Sequence, residues 1–92
     1  MGLEHYKIKF LKKVTERDLP DLPKTIKSRA LKAIKERLTV SPDKVGKPLS
    51  HELKGHRRIR VGDYRVVYQV NNLERIVTVT GIRHREYIYD YH

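Results

Sequence analysis

Residues 5–10 alternate Tyr6, Ile8 and Phe10 with Lys7 and Lys9, the period of two that marks a strand with one buried face. The alternation then stops, and a short helical piece is predicted over roughly residues 11–19, broken near Pro20. Asp21 to Pro23 supply a helix-start signal with a proline close to the first helical position. Through about Thr39 the apolar residues Ile26, Ala30, Ile34 and Leu38 recur every four, with Leu31 and Ala33 beside them, while Lys24, Lys27, Lys32, Lys35 and Arg37 fill the remaining surface. This pattern predicts a core-facing stripe with a solvated basic back, and no catalytic residue is placed on it. From Val40 to His56 the chain carries Ser41-Pro42, Gly46, Pro48 and Gly55. That stretch is expected to be mostly loop, with at best a turn of helix.

Strands resume at residue 57. Residues 57–61 and 64–70 flank Gly62-Asp63, and a two-residue connection with glycine first is a type II′ hairpin signal. Asn71-Asn72 marks a second tight turn, which leads into a third β-rich run from Arg75 to Ile82. The predicted order is β-α-α-β-β-β. It describes an α+β fold in which the last three strands form an antiparallel meander and two N-terminal helices cover one of its faces. With 92 residues, a single domain over 1–92 is expected.

Counting outward from Gly62-Asp63 pairs Val61 with Tyr64, Arg60 with Arg65, Ile59 with Val66 and Arg58 with Val67. One face then collects Ile59, Val61, Tyr64, Val66, Tyr68 and Val70 as a core surface, and the other collects Arg58, Arg60, Arg65 and Gln69. Two arginines directly opposite each other are destabilising by a few tenths to about 1 kcal/mol. A bound anion would relieve that repulsion, so this face is expected to be an open cradle for a phosphate backbone.

Charge strengthens the reading. The chain holds 21 Lys+Arg against 11 Asp+Glu, a net +10, which suits a polyanionic partner. Residues 1–50 carry ten Lys and three Arg, whereas residues 51–92 carry one Lys and seven Arg. Because arginine's planar fork suits bidentate phosphate capture, the chemistry is expected in the second half. There is no cysteine, so neither disulfides nor thiolate metal sites enter. His5, His51, His56 and His92 show no metal-ligand spacing, and no metal or other cofactor is expected. No apolar run approaches membrane length, which leads to an expected cytoplasmic location without a membrane partner.

The last ten or so residues interleave Arg83, His84 and Arg85 with Tyr87, Tyr89 and Tyr91. Guanidinium groups hold phosphate while aromatic rings stack on splayed bases, so this interleaving suits unpaired RNA. His84 has an unperturbed pKa near neutrality and is a candidate proton shuttle.

Four stretches carry a family resemblance: Leu53-Lys54-Gly55, Arg58-Ile59-Arg60, Gly62 through Tyr68, and Ile82 through Tyr89. Together they resemble the RelE/ParE superfamily of bacterial type II toxins, and within it the RelE branch. The resemblance implies a ribosome-dependent endoribonuclease that cuts messenger RNA in the ribosomal A site and is held inactive by an acidic or amphipathic RelB-like antitoxin. It places Arg58 and Arg60 where the family often has a pair of lysines. It matches Arg65 to the arginine of the third strand, Arg83 to the arginine after the last strand, and Tyr89 to the C-terminal tyrosine. The implied catalytic set is Arg58, Arg60, Arg65, Arg83, His84 and Tyr89. Lys54, Arg85 and Tyr87, with Arg58 and Arg60, form the implied RNA-binding set. Metal-free attack by the ribose 2′-hydroxyl follows, with Arg65 and Arg83 stabilising the phosphorane. Arginine stays protonated throughout the usable pH range, so the general base lies elsewhere, with His84 and Tyr89 as candidates. Two other functions stay open at this point: a ParE-type protein that poisons DNA gyrase without chemistry, and an inactive relative that only binds antitoxin or RNA.

Overall fold

A computed structural model of the chain describes residues 5–50 and 53–88. The first strand, β1 (Lys7–Phe10), leads through a π-helical turn at Val14–Asp18 into α1 (Lys24–Arg37). A four-residue helix α2 (Pro42–Val45) and a short strand β2 (Lys47–Pro48) follow. The chain then runs through β3 (Arg57–Val61), β4 (Tyr64–Asn71), β5 (Ile76–His84) and a last turn of helix, α3 (Arg85–Ile88).

The five strands form one sheet in the order β1-β5-β4-β3-β2. β1 pairs with β5 in parallel, and the other pairings are antiparallel. The segment holding α1 therefore carries the chain from one edge of the sheet to the other. α1 turns Ala30 and Ile34 inward, with Leu38 buried at its end, as the four-residue spacing predicts. These side chains meet Ile59, Val66, Tyr68, Val77 and Val79 from the sheet in one hydrophobic cluster. Each fully buried aliphatic side chain stabilises the fold by roughly 1.5–3 kcal/mol.

The β3–β4 register is the one counted from the sequence: Val61 faces Tyr64, Arg60 faces Arg65, Ile59 faces Val66 and Arg58 faces Val67. Gly62 has φ +60, while Asp63 does not enter the left-handed region, the combination that a type II′ turn demands.

Four expectations need correction. The stretch after Val40 is not mostly loop, because Lys47 and Pro48 pair with Arg58 and Arg57 and lengthen the sheet by an edge strand, the one sheet position where proline's missing donor is tolerated. α1 starts later than expected: Pro23 is its N-cap and makes no side-chain capping bond, and Asp21 lies outside the helix. The last strand runs on through His84, so Arg83 lies within it and not after it. Finally, Arg65 is not open to solvent; it is 7% exposed, since a central strand has neighbours on both sides to cover a long side-chain stem.

Candidate nucleic-acid interface

Arg65 is flanked on both sides. It faces Arg60 of β3 and Arg83 of β5, so three guanidinium-bearing residues lie in one row across three adjacent strands. Directly opposed residues share a face of the sheet, which puts all three on the side away from α1. Arg60 and Arg83 are exposed at the ends of the row, and the buried Arg65 reaches the Tyr64 carbonyl at 3.4 Å through Nη1. Arg58 lies on the same face one row further on, opposite Val67, which is itself buried.

The row depends on a β-bulge. Along β5 the buried apolar positions are Val77, Val79 and Ile82, so the alternation slips by one residue. The slip coincides with the pairing: Tyr68 faces Val79 but Val67 faces Gly81, leaving Thr80 as an additional residue on β5. A single extra residue reverses the facing of every residue beyond it. Were the same residues to run on in plain alternation without the bulge, Arg83 would keep the parity of Val77 and Val79 and point into the core. The spacing of the apolar residues at 77, 79 and 82 is a sequence signal for this bulge that simple alternation over Arg75–Ile82 passes over.

The remaining predicted site residues are distributed around this row. His84 shares a face with Tyr64, its register partner, and their rings meet edge-to-face at 5.3 Å between centroids. Alternation along β5 therefore puts His84 on the side opposite the arginine row, where its Nδ1 accepts the Glu86 amide at 3.4 Å. Arg85 opens α3, and its backbone N–H donates to the Asp63 carbonyl at 2.7 Å, tying α3 to the hairpin turn. Lys54 is exposed just ahead of β3. Tyr87 belongs to α3, and Tyr89 lies outside the described residues.

Two of the seven arginines of the second half serve the fold instead. Arg57 faces Tyr68 across β3–β4 and donates through Nη2 to the Gly46 carbonyl, and Arg75 lies 5.3 Å over the Tyr6 ring, a cation–π contact. Burial pushes the Tyr68 phenol above its ordinary pKa, and the nearby Arg57 partly offsets this.

A further opening lies beside the row at the end of the sheet, where β1 no longer accompanies β5. It has a volume of about 200 Å³ and is lined by Asp18, Asp21, Tyr64, Ile82, Arg83 and His84, among others. The Asp18 carboxylate continues the sheet edge there, accepting the Ile82 amide at 3.1 Å through Oδ2. No sequence motif marks either aspartate as a site residue; their approach to Arg83 is a product of the fold. Among the described residues no group of three or more His, Asp or Glu could hold a metal ion, and no helix is long and apolar enough to cross a membrane.

A small basic α+β domain that aligns three arginines on adjacent strands has a charge distribution that suits a polyanionic partner. Comparison with known proteins gives the family: residues 8–89 match the ParE toxin family of the type II toxin-antitoxin system parDE. The chain belongs to that family, and within the superfamily it is RelE-like. It is 36% identical to Toxin RelE of Mycobacterium tuberculosis over 73 residues, 79% of this chain and 75% of that protein. It is equally identical to Toxin RelG of the same organism, over 79% of this chain and 84% of that protein. Its fold superposes with a TM-score of 0.81 and 31% identity on a chain of the toxin-antitoxin complex RelBE2 from Mycobacterium tuberculosis, covering 91% of this chain and 95% of that one. The protein is thus a RelE-like toxin of a type II toxin-antitoxin system.

Proposed function

We propose that the toxin is a ribosome-dependent endoribonuclease that cleaves messenger RNA in the A site without a metal. The alignment of Arg60, Arg65 and Arg83 on neighbouring strands carries this reading. The ribose 2′-oxygen attacks the adjacent phosphorus, the 5′-oxygen leaves and takes a proton, and the products are a 2′,3′-cyclic phosphate and a free 5′-hydroxyl. The phosphorane on this path holds more negative charge than the starting diester. Preorganised guanidinium groups therefore bind it more strongly than the substrate, which is the differential binding that lowers a barrier. Arg65, fixed by burial, and Arg83 supply that field, and Arg60 and Arg58 extend it along the RNA backbone. Arg85, Lys54 and Tyr87 continue the RNA contact. Tyr89 orients the 2′-hydroxyl and takes its proton, since no arginine in the row can accept it and His84 lies on the opposite face of the sheet. The ribosome contributes positioning.

The partner that restrains this activity is an acidic or amphipathic antitoxin, whose charge complements the +10 chain; the structural relative from Mycobacterium tuberculosis is itself part of a toxin-antitoxin complex. The ParE name of the matching family favours one second reading, poisoning of DNA gyrase. Purified toxin added to ribosomes programmed with a defined message separates the two. Cleavage within the A-site codon leaving a cyclic phosphate supports the nuclease. An intact message, with purified gyrase trapped on broken DNA by the same preparation, supports the poison.

A further inference from the structure

The opening at the free end of β5 contains opposite charges that do not meet. Arg83 lines it together with Asp18 and Asp21, yet the ion pair found among the described residues is Lys12 with Glu16, on the surface. The Asp18 carboxylate commits only Oδ2, to the Ile82 amide, and the Asp21 carboxylate makes no hydrogen bond or ion pair among the described residues. A cavity that keeps a guanidinium and two carboxylates apart suits a ligand that carries an anion and hydrogen-bond donors at separate points. A nucleotide is such a ligand, with an anionic phosphate and a base whose edge presents N–H groups.

The geometry carries this further. Arg83 stands at the end of the arginine row, so a phosphate held there brings its nucleotide to the mouth of the opening. Around that edge the Tyr64 and His84 rings, at 84° to each other, offer an aromatic wall for a splayed base. The carboxylates repel the backbone and accept from donors only. Guanine alone among the four bases presents two adjacent donors, N1–H and the N2 amino group, on its Watson–Crick edge. Adenine and cytosine set one amino donor beside an acceptor, and uracil sets one donor between two acceptors. We propose that this opening is a base-recognition pocket that takes guanine from the substrate RNA, with Asp18 and Asp21 accepting from its two-donor edge and Tyr64 and His84 flanking its ring.

The cleavage half of this proposal rests on the nuclease reading; the binding half does not, and the test separates them. Guanosine, adenosine, cytidine and uridine 5′-monophosphates are titrated into ¹⁵N-labelled toxin and into the D18N/D21N variant. The amide introduced by Asp18→Asn retains a carbonyl acceptor for the Ile82 N–H, which preserves the edge contact. All four ligands bring the same phosphate, so differences among them report the base. Guanosine monophosphate should shift the Ile82, Tyr64 and His84 signals at least about tenfold more tightly than the others, and the variant should lose that difference. On programmed ribosomes the wild type should favour codons with guanine at the pocket position by a similar factor, and the variant should cleave with that preference removed. Equal response to the four monophosphates, or a preference unchanged in a folded D18N/D21N variant, overturns the pocket. Absence of wild-type cleavage overturns the nuclease reading and leaves the titration to decide the pocket.

Discussion

Tyr68 holds its phenolic proton more tightly in the folded chain than in the unfolded one, because it is buried and donates to the Pro42 carbonyl at 2.6 Å. A group whose pKa is raised by folding contributes stability below its unfolded value and loses it as pH rises toward the folded value. Stability should therefore fall as pH rises above about 10, the ordinary tyrosine value, and Tyr68→Phe should flatten that part of a urea-unfolding series. At neutral pH the same substitution should cost about 1–2 kcal/mol, since the Pro42 carbonyl is deprived of its donor. Gly46 belongs to the same contact. A Cβ there would collide with Tyr68 Oη and lie 2.7 Å from the Arg58 carbonyl, so Gly46→Ala should lower stability by roughly 1–3 kcal/mol. For a domain of this size that is a fall of several degrees in melting temperature, about 4–8 °C per kcal/mol. An unchanged melting curve would contradict the close packing of α2 against β3 and β4.

At the level of elements, the arginine row stays on one face because a bulge at Thr80 absorbs the slip in the β5 alternation. Deleting Thr80 should remove the bulge and restore plain alternation, with Val77, Val79 and Ile82 inward, Arg83 outward and the β4–β5 pairing unchanged, so urea unfolding should show little change in stability; a large loss of stability would show that Thr80 does more than absorb the slip. Repulsion within the row makes a second prediction. Arg60→Ala should raise stability by a few tenths to about 1 kcal/mol while weakening RNA binding, a combination that a purely structural arginine would not give. Much of this row was legible in the sequence: Gly62-Asp63 set the β3–β4 register, and alternation put Arg58, Arg60 and Arg65 on one face. The rest required pairings that local pattern does not encode. Arg83 joins the row only through the β4–β5 register and its bulge, Arg65 is buried only because strands lie on both sides of it, and β1 meets β5 from the far end of the chain. His84 sits next to Arg83 in sequence but is turned to the opposite face by the alternation of a strand that the sequence pattern ends two residues early. Arg57 is indistinguishable from its neighbours in composition, and only the position of Gly46 and Tyr68 shows that it serves the fold.

For the whole molecule, a net charge of +10 means that affinity for RNA should fall steeply with salt. Removing one phosphate-binding cation should reduce the slope of log K against log salt by about 0.7 for single strands, so Arg60→Ala and Arg83→Ala should each flatten it by about that amount. The two halves of the chain differ in the charge they carry: lysines of α1 solvate the back of the domain, and arginines line the sheet face that is proposed to meet RNA. The most direct test of that proposal is to induce the wild type and the Arg83→Ala variant separately in cells and map messenger RNA 5′ ends. The wild type should yield cuts phased with codons inside translated frames, and a folded Arg83→Ala protein should yield almost none. Equal codon-phased cutting by both would remove the arginine row from the chemistry, and intact messages in wild-type cells would contradict the nuclease itself.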